Sequence, residues 1–406
     1  MKFAVIGSGF TGLACGLELA KSGHEVTIFE KTESLGGLAG GFRQENWNFH
    51  LEHFYHHIFA NDDQIIGVAN EVGCHPVFSS PKTSSFLQGK ILQLDSPISV
   101  LKFSKLSVLA RLRMGFGLFV LKIIKNGLFL EKYKVIDFLP MLIGKEAYDL
   151  IWAKLLKAKF GKYTDRVNMA WFWSRVAKRT KALGYFEGGF NSLIEKIADR
   201  IVSLGGEIKL NSEFDFGKKS LAKYNRVIVT TPAPVAEKIT GMDVMPKIDY
   251  LWAQTLVLEL EKSFMAEYWL NILEKNWPFL VVVEHTRFVN KREYGNKSIL
   301  YLGNYLEPDN SQLKMTKEEL LALYSSYLKK INPNFSLKWV KKSHLFRANY
   351  AQPVFPTNYS EQLKDINKTK NKIWFANMSM VYPYDRGTNY AIEIGKEVAI
   401  SALRNN

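Results

Sequence analysis

Near its start the chain passes from an apolar strand, Lys2-Phe3-Ala4-Val5-Ile6, straight into Gly7-Ser8-Gly9-Phe10-Thr11-Gly12, and no other feature constrains the fold as tightly. Leu13 to Lys21 has helical character until Ser22-Gly23 stops it, and a second strand, Glu25 to Phe29, leads to Glu30. The glycine pattern alone would say little; set between strand and helix it signals a dinucleotide site. Gly7 permits the tight turn, Gly9 lets the backbone approach a pyrophosphate, and Gly12 lets the helix pack on the strand. The helix start, from Ser8 through Phe10 and Thr11, offers unpaired N–H groups and partial positive charge to phosphates. Glu30 stands where a carboxylate accepts hydrogen bonds from both ribose hydroxyls. The expected class is therefore α/β, with a Rossmann-like dinucleotide-binding domain.

A turn of this kind suits NAD and FAD equally, and the choice rests on the stretch after Glu30: Lys31-Thr32-Glu33-Ser34-Leu35-Gly36-Gly37-Leu38-Ala39-Gly40-Gly41. Here the sequence resembles the flavoprotein superfamily of amine oxidases, protoporphyrinogen oxidases and phytoene desaturases, with UDP-galactopyranose mutases as relatives. The resemblance implies that Gly36-Gly37 wraps a second loop around the FAD phosphates, with Lys31, Gly37, Leu38 and Ala39 beside the cofactor. The basic residue often found after the glycine pair is Leu38 here. Later stretches extend the likeness, including Gly184 to Phe190, Arg226 to Pro232 and Lys372 to Ala376. It implies a discontinuous FAD domain (1–85, 184–245 and 360–406) and a mixed α+β substrate domain (86–183 and 246–359). It also implies that the last helix points its start at the flavin, which would put Asp385, Arg386, Gly387, Thr388 and Asn389 on the cofactor. No second dinucleotide motif is present, so nicotinamide binding finds no support.

His50, His53, His56 and His57 fall close together. On a strand, His53 and His57 share one face and His50 and His56 the other, which splits the set. No metal site is expected. Tyr55-His56-His57-Ile58-Phe59 is similar to a His-Ile-Phe segment of the galactopyranose mutases, and that likeness implies His57 beside the flavin, titrating near neutrality as acid or base. By the same resemblance Arg347 and Tyr350, in Leu345 to Pro353, are candidates for lining the active site.

Charge bears on partners. The net charge is +15, and residues 81–181 alone carry 20 Lys/Arg against 6 Asp/Glu. The pattern predicts a helix from Ile98 to Arg113, an interruption at Gly115 and Gly117, a second helix from Leu118 to Leu130, and a third beginning near Lys145. Amphipathic helices with lysine beside Leu, Phe and Ile suit an anionic membrane surface. Nucleic acid is not expected, because no recognition motif accompanies the charge and Trp171-Phe172-Trp173 reads as core. No stretch reaches the roughly 20 apolar residues of a bilayer span, and no secretory leader precedes the first strand, so a cytoplasmic protein at the inner face of a membrane is expected. The combined expectation is an FAD-dependent oxidoreductase of desaturase, oxidase or reductase type, acting on an apolar or lipid-linked substrate. The alternative is a non-redox flavin-dependent nucleotide-sugar mutase.

Overall fold

Residues 1–243, 245–364 and 372–404 are described by a computed structural model. The expected third FAD-domain segment also includes 365–371 and 405–406, which lie outside the described residues. A five-stranded parallel sheet runs in the order Glu207–Lys209, Glu25–Phe29, Lys2–Ile6, Arg226–Val229, Ile373–Phe375. Strands buried on both faces must be apolar throughout, and Phe3, Ala4, Val5, Val227, Ile228 and Val229 are fully or almost fully buried. The chain's crossovers leave Lys2–Ile6 in opposite directions, toward Glu25–Phe29 on one side and Arg226–Val229 on the other. A crevice therefore opens beyond the end of the first strand, where Gly7 begins its turn. The opening helix, Phe10–Lys21, and the last helix, Thr388–Arg404, pack face to face over this sheet. The contact is close because a Cβ on Gly395 would stand 2.4 Å from the Thr11 carbonyl oxygen.

A second sheet of seven strands runs in the order Val340–Pro353, Tyr250–Leu260, Ser298–Leu306, Val281–Glu284, Trp269–Ile272, Thr83–Leu87, Lys90–Gln93. All its pairs are antiparallel except Trp269–Ile272 with Thr83–Leu87. One face of Tyr250–Leu260 packs Leu256 and Leu258 under the helix Lys317–Ile331, whose start is fixed by a reciprocal Thr316/Glu319 capping box. The other face turns Ala253, Thr255 and Val257 toward the first sheet and the space between.

The basic segment folds as a helical layer with its own core of Leu121, Leu139, Phe160, Trp171 and Trp173. Its boundaries differ from the expected ones. The first expected helix breaks between Leu101 and Val108, where Ser107 caps a new start by accepting from the Ala110 N–H. That new helix, Val108–Ile123, then runs unbroken through Gly115 and Gly117. Gly117 serves packing: a Cβ there would come within 2.9 Å of Ile143 and 3.1 Å of the Leu142 carbonyl oxygen, so its absence lets two helices touch. The third helical run does begin at Lys145 and continues to Phe160 through a π-turn at Tyr148–Trp152.

One buried carboxyl ties these units together. Glu52 accepts hydrogen bonds from the Tyr185 hydroxyl (2.7 Å) and from the Phe190 N–H (2.8 Å) at the start of the helix Phe190–Ser203, while the Tyr301 hydroxyl donates to its carbonyl (2.7 Å). Burial raises its pKa to about 7 against the pull of these donors. A carboxyl whose folded pKa is raised holds its proton more tightly than the unfolded chain does. Its stabilising contribution is therefore complete below the unfolded value of 4.5 and is lost as pH climbs toward 7. Glu52→Gln removes that titration. Its stability relative to the parent is expected to rise by about 2–3 kcal/mol between about pH 5 and pH 8, measured by denaturant unfolding; a pH-independent difference would refute the assignment.

Candidate active site

Two glycine turns meet at the crevice. Gly7, at φ +102°, donates its N–H to the Phe29 carbonyl (2.8 Å), closing the turn against the second strand. A Cβ on Gly12 would lie 1.9 Å from the Gly7 oxygen, which only glycine avoids. Gly36 donates to the Ser8 carbonyl (3.0 Å), and a Cβ on Gly37 would rest 3.4 Å from the Gly9 Cα. At Gly9 the space is open: no described atom lies within 4 Å of the position a Cβ would occupy. The helix beginning at Phe10 has neither a side-chain cap nor an acid in its first turn, so its N–H groups and partial positive charge face that space unneutralised. Phe10 and Thr11 are themselves buried, so only their backbone is available there. Ser8 and Glu30 differ from the expectation of a free N–H and a free ribose acceptor, because each is bonded to the other. The Glu30 carboxylate accepts from the Ser8 N–H (3.0 Å) and hydroxyl (2.8 Å) and from the Thr32 N–H (3.0 Å) and hydroxyl (2.8 Å). Lys31 is exposed beside it.

From Gly37 the turn Gly37–Ala39 carries the chain to Leu38, which lines a narrow cavity of about 20 Å³, while Ala39 is buried in the adjoining core. Tyr55, His56, Ala253, Thr255, Tyr305 and Arg386 also line this cavity. Leu38, one residue beyond the Gly37 that packs on Gly9, thus links the open turn to a small cavity with mixed polar and apolar walls. Gly387, at the start of the last helix, adds open space, with only Tyr390 within reach of a Cβ, at 3.6 Å. Thr388 begins that helix. A larger open depression lined by Lys262, Glu284 and Arg287 sits at the far end of the strand Tyr250–Leu260 and shares no residue with the cavity.

Several expected residues are placed elsewhere. The histidine that lines the cavity is His56; His57 packs against Phe59, Tyr268 and Trp269 with its Nδ1 3.3 Å from the Tyr268 hydroxyl. Burial, reinforced by repulsion from Arg179, pushes the His57 pKa down to about 3, so it does not titrate near neutrality. Arg347 pairs in register with Gln254 on the helix-covered face of the second sheet, donating to Gln254 Oε1 (2.8 Å) and to the Gln312 carbonyl (2.9 Å). That is the opposite face from Ala253 and Thr255. Tyr350 sits at φ +53° where the register with Tyr250–Leu260 shifts, and its ring packs on Tyr250; its neighbour Ala351 lines the cavity in its place. Asn389 is committed to another helix, its Oδ1 accepting from the Gln64 (2.9 Å) and Ile65 (3.2 Å) N–H groups at the start of Asp63–Glu71. Asp385 likewise turns to protein partners, accepting from Trp171 Nε1 (2.8 Å) and Arg175. Arg175 and Lys159, which reach Asp385 from the helical layer, carry no local pattern in the sequence that sets them apart from the other cations of the basic segment.

The model of the family described as flavin containing amine oxidoreductase matches residues 10–401. The chain belongs to that family. It is an FAD-dependent oxidoreductase, and the open cradle at Gly9 and the uncapped helix start fit the pyrophosphate of that cofactor. The flavoprotein is 47% identical over 51 residues to a 4,4'-diapophytoene desaturase (4,4'-diaponeurosporene-forming) of Staphylococcus haemolyticus, a match covering 13% of this chain and 10% of the relative. Among solved structures, it is similar to a putative protoporphyrinogen oxidase from Exiguobacterium sp. 255-15 (TM-score 0.76, 14% identity, covering 100% and 99% of the two chains). A reduced UDP-galactopyranose mutase (TM-score 0.77, 15% identity, 99% and 95%) and a cyclohexylamine oxidase from Brevibacterium oxydans IH-35A (TM-score 0.69, 13%, 99% and 98%) share the fold as well.

The two glycines make different predictions. Gly9→Val meets open space at a φ of −66°, so the purified chain should keep its unfolding midpoint while losing at least tenfold in FAD affinity, read by flavin fluorescence. Gly12→Ala drives a methyl into the Gly7 carbonyl and should lower the midpoint itself, together with FAD content. Equal FAD affinity in Gly9→Val and the parent would refute the placement.

Proposed function

We propose that this flavoprotein oxidises or reduces a carbon of an apolar or lipid-linked substrate that it takes from an anionic membrane surface. Gly7 to Gly12 and Gly37 hold the FAD pyrophosphate, Glu30 its ribose, and the cavity between Leu38, His56 and Arg386 receives the substrate. FAD, when bound, supplies a two-electron centre that exchanges a hydride with a substrate carbon. The residues of the chain orient that carbon and keep water out. Ala253, Thr255 and the ring faces of Tyr55 and Tyr305 wall the chamber, and burial lowers the His56 pKa to about 4, leaving a neutral ring.

The observation that carries the membrane reading is a solvent-facing apolar stripe. On the helix Val108–Ile123, the side chains of Val108, Leu109, Leu112, Phe116, Phe119 and Ile123 are all exposed, Leu109 at 77% and Phe116 at 67%. At a helical advance of about 100° per residue they fall within a single arc of about 100°. Arg111 flanks one side and Arg113 the other, and Ile98, Leu101, Phe129 and Met141 extend the exposed apolar surface nearby. A soluble surface rarely leaves so many large apolar groups together; an apolar stripe edged with cations suits the headgroup boundary of an anionic bilayer. Among the described residues no helix is long and apolar enough to cross a membrane, which leaves docking rather than a helical span as the mode of contact.

Two measurements test this. FAD-loaded protein should co-sediment with vesicles containing anionic phospholipid, and the pair Leu112→Asp, Phe116→Asp should weaken that binding at least tenfold while FAD content is kept; equal sedimentation of the pair would sink the membrane reading. Anaerobic mixing with polyprenyl lipids should bleach the visible flavin band, or, for a reductase, restore it in the reduced protein. Conversion of a nucleotide sugar with no net change in flavin oxidation would replace this reading with a mutase.

A further inference from the structure

Beside the cavity, two cations pair with one carboxylate and two more stand close by. Asp385 accepts from Arg175, Trp171 Nε1 (2.8 Å) and Gln352 Nε2 (3.3 Å), and the Lys159 ammonium lies 3.7 Å from it. Arg386, the next residue, is held by Gln352 Oε1 (2.9 Å) and the Tyr305 hydroxyl, with its guanidinium 4.9 Å from the centre of the Tyr305 ring. Lys159 sits over Trp171 (4.9 Å) and Tyr305 (5.2 Å), and Arg175 over Trp171 (5.3 Å). Arg179 stands exposed at the rim, close enough to repel Arg175 and attract Asp385. The Lys159 and Asp385 side chains are only 12% and 14% exposed.

One carboxylate cannot neutralise this set. Burial, then repulsion from Arg175, holds the Lys159 ammonium well below its ordinary pKa, and burial with the same neighbour lowers Arg386 to about 10. The aromatic faces of Trp171 and Tyr305 soften the cost of gathering like charges but do not cancel it. Half-buried cations in excess are costly to keep unless an anion completes the site.

Resting on the reading of the cavity as the substrate chamber, we propose that Lys159, Arg175, Arg179 and Arg386 bind a phosphate or diphosphate group of the substrate, with Asp385 and Trp171 as positioning residues that splay the cations around it. Guanidinium forks match phosphoryl oxygens two at a time, and Tyr305 and Arg386 belong to both the cluster and the cavity wall. The anionic head would sit in the cluster while the reacting carbon lies in the chamber toward Leu38 and His56. The same excess of positive charge repels a protonated amine, so the amine chemistry in the family's name does not extend to the substrate of this chain.

The test titrates the FAD-loaded full chain with sodium pyrophosphate, following heat and the visible flavin spectrum. Saturable binding of one equivalent is expected, weakened at least tenfold in Arg175→Gln and in Lys159→Met, with FAD content retained and with Lys329→Gln, an exposed lysine of the helix Lys317–Ile331, unchanged. Either substitution suffices if the other fails to fold. A prenyl diphosphate in detergent or a nucleoside diphosphate should displace pyrophosphate, and which does so distinguishes a lipid from a nucleotide source. Absent binding, unaltered affinity in both variants, displacement by neither ligand, or tighter binding of succinate than pyrophosphate would each overturn the assignment. A chain that binds pyrophosphate but no FAD would instead overturn the flavin reading on which it rests.

Discussion

The contact between Gly12 and the Gly7 carbonyl governs the rest of the structure. A Cβ at Gly12 would stand 1.9 Å from that oxygen, so the opening helix can approach its strand only because Gly12 has no side chain. That approach sets the uncapped helix start beside Gly9, brings Ser8 and Gly36 into hydrogen bonding, and lays the second glycine turn on the first. It also presents the helix's other side to Gly395, so the last helix can pack at similarly close range and carry Arg386 to the cavity. Moving the helix out by a methyl group would open all these contacts together, which is why the cradle and the fold share their determinants at Gly12 and separate only at Gly9.

How much of the molecule is legible in its sequence depends on how local each determinant is. The Gly7 to Gly12 turn acts within a few residues of itself, and Glu30 and the Gly36-Gly37 pair meet Ser8 and Gly9 within a single strand-helix-strand unit, so the chain folds there as its spacing implies. The helix Lys317–Ile331 is likewise readable because its start depends on Thr316 and Glu319 alone. Arg347, Tyr350 and His57 depend instead on which face of a strand or turn they take. A shift of one position reverses the face, and Leu345 to Pro353 contains such a shift, taken up by Tyr350 in a left-handed conformation that nothing in its residue type announces. Burial of His57 against Tyr268 and Trp269 is set by contacts more than 200 positions away, beyond any local pattern. Gly117 misleads for the converse reason: glycine breaks an isolated helix, but a close helix neighbour rewards it, whereas Gly115 faces open space and is carried by the helix around it.

The basic segment shows what a net charge hides. Its cations divide between two faces of one helical layer. Arg111 and Arg113 flank the exposed stripe, whereas Lys159 and Arg175 point inward to Asp385. Summed, they look like a single field; in three dimensions one set lies on the solvent-facing side and the other beside Asp385. The family resemblance implies Asp385 at the last helix's approach to the flavin, yet its side-chain partners Trp171, Arg175 and Lys159 come from the helical layer.

Lys122 joins the two faces. It lies on the helix that bears the apolar stripe, but its ammonium donates to the carbonyls of Ala177 (2.8 Å) and Arg179 (2.7 Å) at the end of the helix Met169–Ala177. A cation at a helix C-terminus satisfies carbonyls left without partners and meets the negative end of the dipole. Here it fixes the helix that positions Trp171 and Arg175, and the exposed residue Arg179 just beyond it. The surface helix is thereby bonded directly to the arm that carries the inner cations. A tilt of the outer helix would stretch these bonds, so through Lys122 the stripe-bearing helix and the helix that carries Arg175 are tied directly to one another.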